Sequence, residues 1–156
     1  MKKFLLALLS VVLILSITAC GSSPKQVARV EGSLSEIFAK IYENAGVEAP
    51  MLVEIPVDDI NKGSMLGSSD VTFTEGLASE AAIMTIPHSM VLIRVDGSAD
   101  VENIKQLIRD NVNPRKWICA GVEVDQVIVD SIGDLVFLVM SVDAAAYHEG
   151  FLKLAA

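Results

Sequence analysis

Residues 1–23, MKKFLLALLSVVLILSITACGSS, constrain this chain more than any other stretch, because they decide the compartment in which the remainder must fold. Lys2 and Lys3 give a charged start and Phe4 to Ser16 an apolar run. Ile17-Thr18-Ala19-Cys20 then supplies an aliphatic residue, two small residues and a thiol at a cleavage point. That order of parts reads as an export signal ending in a lipid-attachment cysteine. An uncleaved anchor would need about 20 apolar residues to span a bilayer, and Phe4 to Ala19 stops short of that. An ordinary signal peptide cut after Ala19 would leave Cys20 as a bare thiol in an oxidising compartment, whereas a diacylglyceryl thioether gives the sulfur a use. The expected layout is a signal peptide over 1–19, lipidated Cys20 with a flexible tether over 20–32, and one globular domain over 33–156. The domain is expected on the extracytoplasmic face of the cell membrane, held there through the lipid on Cys20. Gly21 rather than an aspartate follows the cysteine, so no inner-membrane retention signal is read.

An exported body of this length has enough chain for one core and too little for two domains. Of the 2 cysteines, Cys20 carries lipid, so Cys119 has no partner for an internal disulfide and stability has to come from packing. Loss of Lys2 and Lys3 takes the net charge from −8 to −10. That balance excludes nucleic acid, whose phosphates would be repelled, and disfavours broad contact with anionic surfaces.

Along the domain, Ser33-Leu34-Ser35-Glu36 has capping-box spacing. Leu34, Ile37, Phe38, Ile41, Tyr42 and Ala45 follow at helical spacing, with Gly46 as a left-handed stop, which predicts a helix over Ser33–Ala45. Met51–Val57, interrupted by Pro56, reads as an edge strand and Asp58–Asp70 as loop. Val71–Thr74 alternates, Ala81–Ile86 is apolar, Pro87 bends the chain, and Met90–Val95 (MVLIRV) is a central strand. Ser98 or Asp100 caps a helix with Val101, Ile104, Leu107, Ile108 and Val112 on one face. Asn113-Pro114 predicts a second short helix or turn through Trp117. Asp125–Asp130 and Leu135–Val142 flank a Gly-Asp turn as a hairpin, and Asp143 caps a last helix carrying Tyr147 and Phe151. The order α-β-β-α-(α)-β-β-α predicts an α+β fold, an antiparallel sheet with helices packed on one face.

The lipobox-like ITAC, the short tether, the helix Ser33–Ala45, MVLIRV followed by DVENIKQLI, and the late hairpin ending in LVFLVMSVD together resemble small bacterial lipoproteins carrying the domain of unknown function 4358. The resemblance covers about Ser33 to Leu154. Asn113–Val124 is compact beside that family's usual pattern. It implies a membrane-tethered exported domain, most typical of Gram-positive bacteria, with no established activity and no functional residues to carry over.

The residues offer little for catalysis. A nucleophile needs a base that is itself oriented, and the two histidines, His88 beside Pro87 and His148 on the last helix, stand in no nucleophile motif. Both are expected at surface or turn positions. Cys119, between Ile118 and Ala120, reads as a small core residue. Two histidines 60 residues apart and one thiol give no zinc spacing. Asp59, Asn61 and Asp70 mimic three positions of a calcium loop, which fails at Gly63 and Ser64. Gly63 and Gly67 lack the lysine of a phosphate cradle, and no cofactor is expected. Met51, Met65, Met84, Met90 and Met140 read as core filling or a greasy groove.

One local feature opposes the global charge. Arg109, Arg115, Lys116 and Trp117 fall within nine residues, and together they form a candidate partner surface for an envelope protein or anionic polymer, with Trp117 as anchor. The functional expectation is a non-catalytic, lipid-anchored binding module of the cell envelope. The alternative is a carrier of a small ligand or lipid.

Overall fold

The computed structural model describes residues 29–155, so the signal segment, Cys20 and most of the tether lie outside the described residues. Strands β1 (Leu52–Pro56), β2 (Glu75–Ala81), β3 (His88–Arg94), β4 (Val127–Ile132) and β5 (Leu135–Ser141) form one antiparallel sheet in the order β1-β2-β3-β5-β4. Helices α1 (Leu34–Ala45), α2 (Lys62–Leu66), α3 (Val101–Asn111) and α4 (Ala144–Leu152) complete an α+β fold of the class the apolar pattern predicts. Among the described residues no helix is long and apolar enough to cross a membrane.

The helices, however, cover both faces of the sheet rather than one. Side chains alternate along a strand, and Met90, Leu92, Leu135, Phe137 and Val139 pack with α1 and α4 through Ile37, Phe38, Tyr147 and Phe151. Their neighbours Val91, Ile93, Val136, Leu138 and Met140 pack on the opposite side with Ile104 and Ile108 of α3, Leu66 of α2, and Trp117 and Val122. All seven residues of β3 and all seven of β5 are therefore buried. Unbroken burial along a strand is what a sheet covered on both sides produces.

Local chemistry accounts for the element ends. Ser33 Oγ accepts from the Glu36 amide at 3.3 Å, the Glu36 carboxylate accepts from the Ser33 amide at 2.8 Å, and Gly46 stops α1 in the left-handed region at φ 67. Asp100 caps α3 by accepting from the Asn103 amide. Gly150 lets α4 approach α1 closely, because a Cβ there would lie 2.5 Å from the Ile41 carbonyl oxygen. Gly150→Ala is expected to cost about 1–3 kcal/mol, the usual range for overpacking, measured as a lowered midpoint in urea. Unchanged stability would mean that the two helices separate freely.

Several boundaries differ from the sequence reading. The strand expected around Val71–Thr74 or Ala81–Ile86 lies between them as β2, and Ala82–Pro87 is turn. Residues 112–123 contain no second helix. They run as turns and bends before a short 3-10 turn at Val124–Gln126. Within the expected loop 58–70, the short helix α2 forms. Asn61 uses its side chain to accept from the Asp58 amide and donate to the Pro56 carbonyl, and Asp59 pairs with Lys62 at 2.8 Å.

The chain enters the domain at one end of the sheet. The Val30 amide donates to Asp134 Oδ1 at 2.8 Å in the β4–β5 turn, and Arg94 at the end of β3 donates to Asp134 Oδ2 at 2.8 Å and to the Gly32 carbonyl at 2.5 Å. Arg94 Nε lies 3.2 Å from Glu75 Oε2, near enough for an ion pair but without hydrogen-bond alignment. With Arg94 2 % and Asp134 7 % exposed, the segment before α1 is fastened by a buried charge pair.

Candidate functional site

The opposite end of the sheet is built differently. It comprises the start of β1, the β2–β3 turn, the start of β4 and the end of β5, roughly 20 Å along β3 from Arg94 at the rise of an extended chain. Among the described residues, eight of the ten exposed large apolar side chains belong to it, including Met51, Ile83, Met84, Ile118 and Val142, while Ile60 and Leu152 lie elsewhere. The Ile118 amide donates to the Met84 carbonyl at 3.2 Å, which ties the 112–123 segment to the β2–β3 turn.

Several hollows open at this end, and two of them carry polar strand residues in their walls. One, of about 350 Å³, lies between Val53 and Ile55 of β1, Met65 of α2, Met84 and Trp117, with Glu80 and Lys116 also in its wall. Strand register sets Val53, Glu80 and Ser89 side by side across β1, β2 and β3. Lys116 reaches onto this row, donating to Glu80 Oε1 at 2.7 Å and Ser89 Oγ at 3.0 Å, while Ser89 donates to the same carboxylate oxygen at 2.6 Å. The ammonium also sits 5.4 Å from the centre of the Trp117 ring.

The second hollow, of about 320 Å³, lies on the other face beside Pro50, Ile86, His88, Ser141, Asp143 and Tyr147. His88 is only 2 % exposed and opens β3, rather than standing in a surface turn. Its Nδ1 lies 3.2 Å from Ser141 Oγ and its Nε2 2.9 Å from the Tyr42 hydroxyl, which reaches Ser79 Oγ at 2.8 Å. Burial, helped by the charge of Lys116, pushes His88 down to about 4, so the ring is neutral at pH 7. Burial likewise raises Tyr42 and Tyr147 above the ordinary phenol value. A serine, an imidazole and an orienting group are present. The orienting group, however, is an un-ionised hydroxyl that cannot offset an imidazolium, and the ring's affinity for a proton is too low for efficient general-base work at neutral pH. The geometry is that of a satisfied polar network joining α1 to the sheet.

The structure does not gather the four residues of the expected partner surface. Arg109 Nη2 donates to the Val129 carbonyl at 2.8 Å and so occupies a backbone group on strand β4 at the sheet's edge. Arg115 is exposed and faces Glu123 at 3.7 Å. Lys116 is turned inward to Glu80, and Trp117 is 6 % exposed. Trp117 is a core side chain that also lines the hollow beside β1, not an anchor standing clear of the surface. Cys119 reverses its expected place too. It is exposed, at φ 55, because Trp117 and Val122 take the core positions of that segment. His148, expected to face solvent, is half-buried and contacts Asp130 Oδ2 at 2.7 Å. Of the methionines, Met90 and Met140 fill the core while Met65 and Met84 border the hollow. Asp59 and Asn61 are turned to Lys62, Asp58 and Pro56, and among the described residues no cluster of three or more His, Cys, Asp or Glu side chains is placed for a metal ion.

Sequence reasoning missed Glu80, Ser89 and the His88 network. Glu80 and Ser89 could have been found as polar residues inside otherwise apolar strand sequence, where a buried charge demands a partner. Comparison with known proteins adds no relative: no family model, no curated protein and no solved structure matches the chain.

Proposed function

We propose that the protein is an exported, non-catalytic binding module of the cell envelope, anchored through lipid on Cys20 and working through the apolar end of its sheet. One observation carries this reading: exposed apolar side chains crowd the end opposite the point where the chain enters the domain. Isolated exposed apolar residues are ordinary, whereas a concentration of them marks an interaction surface. Charge complementarity favours an envelope protein over an anionic polymer. Lys116 is matched by Glu80, Arg115 faces Glu123, and the exported body is acidic. The N-terminal pattern and the resemblance to domain-of-unknown-function lipoproteins supply the membrane tether.

The test is site-specific photo-crosslinking of the full chain in intact cells. A crosslinker in place of Met84 or Ile118 is expected to give a discrete protein adduct, and one at Ile60, exposed at the other end, to give none. Equal labelling from both ends, or none from either, overturns the assignment of the surface. Mass analysis of the same material is expected to find acyl chains on Cys20, and a free thiol there overturns the anchor.

A further inference from the structure

We infer that the hollow beside Trp117 is a binding site for a small, mostly apolar molecule that ends in one neutral hydrogen-bonding group, a hydroxyl or primary amide. The inference rests on the reading of this end of the sheet as the working surface and adds a small-molecule site within it.

The walls decide the first half of the ligand's chemistry. Val53, Ile55, Met65, Ala82, Met84 and Trp117 line a space of about 350 Å³, at the small end of the range for ligand sites. The two methionines are unbranched and adaptable, which suits an alkyl chain. Two charged side chains, Glu80 and Lys116, complete the wall.

Glu80 and Lys116 decide the second half. Glu80 is 9 % exposed and lines the hollow. Both hydrogen bonds it receives, from Ser89 and Lys116, fall on Oε1, and Oε2 accepts none among the described residues. Among the described residues the one buried side-chain atom left without a partner is Arg94 Nε, so Oε2 reaches the open space of the hollow, where a ligand N–H or O–H would take the place of water. Lys116 Nζ has three protons, of which Glu80 and Ser89 take two. The site thus offers one acceptor and one donor side by side, on a pair whose charges cancel. A ligand carboxylate would be repelled by Glu80 and a ligand ammonium by Lys116. A hydroxyl or amide donates to Oε2 and accepts from Nζ without adding charge.

The protein has 1 tryptophan, and it lines the hollow, so binding can be read from its emission. Octanamide and 1-octanol, titrated into the lipidated protein in detergent-free nanodiscs, are expected to change Trp117 emission saturably. Octanoate and octylammonium are expected to bind at least about tenfold more weakly, the effect of one unmade or opposed charged hydrogen bond. A double variant, Glu80→Gln with Lys116→Met, keeps the site neutral and is expected to lose the preference while still taking up octanamide. No saturable change with any probe overturns the site. Equal binding of all four overturns the role of Glu80 and Lys116, and so does a folded double variant that keeps the preference. If that variant fails to fold, the four-probe comparison on the unaltered protein decides alone. Crosslinking from Met84 that succeeds while octanamide fails removes this inference and leaves the proposed function standing.

Discussion

Arg94→Met is expected to destabilise the domain by about 3–5 kcal/mol, the usual consequence of removing one member of a buried ion pair. The loss exceeds that of the contact itself, because Asp134 remains 7 % exposed without its guanidinium. Methionine fills much of the arginine's space, so the loss is electrostatic rather than a packing defect. Arg94→Met combined with Asp134→Asn removes both charges and is expected to recover much of the stability, since a neutral pair leaves no unmatched charge. Equilibrium denaturation of the three proteins makes the comparison. A double variant no better than the single one would show that the carboxylate is not the source of the penalty. In both variants the Gly32 carbonyl loses its Arg94 donor, so amide exchange at Val30, which donates to Asp134, is expected to quicken.

Lowering the pH from 6.5 to 4 is expected to cost on the order of 3 kcal/mol through His88 alone. Burial first, and the charge of Lys116 second, take the ring from its ordinary 6.5 to about 4. The unfolded chain therefore binds a proton that the folded domain refuses throughout this interval. The stabilisation is complete above pH 6.5, declines as the pH falls through the window, and is gone below about 4. Glu36, Asp96 and Asp130 are held below their ordinary values and act only at the acid edge and beyond. Urea midpoints measured from pH 7.5 to 4 should fall steeply for the unaltered protein. For His88→Gln the slope should be largely absent, from a lower starting stability. Parallel slopes in the two proteins would place the proton elsewhere.

Elements written in local chemistry were legible in the sequence. The capping box at Ser33 and Glu36, the helical stripe through Ile104 and Ile108, and the apolar runs of β3 and β5 each appear where the pattern puts them. Strand β2, EGLASEA, was not legible: Glu, Gly, Ala and Ser are poor strand formers, and it is a strand because β1 and β3 pair with it on both sides. Layering failed for a related reason. Seven consecutive buried residues in each of β3 and β5 imply cover on both faces, a signal that the narrower stripe of a single helix does not give. At the candidate site, the sequence singled out Lys116 and Trp117 but not their surroundings. Their partners Glu80 and Ser89 lie 36 and 27 residues away from Lys116 and meet it only through strand register. His88 was hidden in the same way, since its neighbour Tyr42 comes from α1, 46 residues earlier.

Because β3 and β5 contribute alternate side chains to the packing on both faces, neither helical layer has a floor of its own. Peeling α1 and α4 away would strip Met90, Leu92 and Phe137 bare on strands that Ile104 and Ile108 still need as a rigid backing. Melting is then concerted, with the two halves of the interior lost in a single transition.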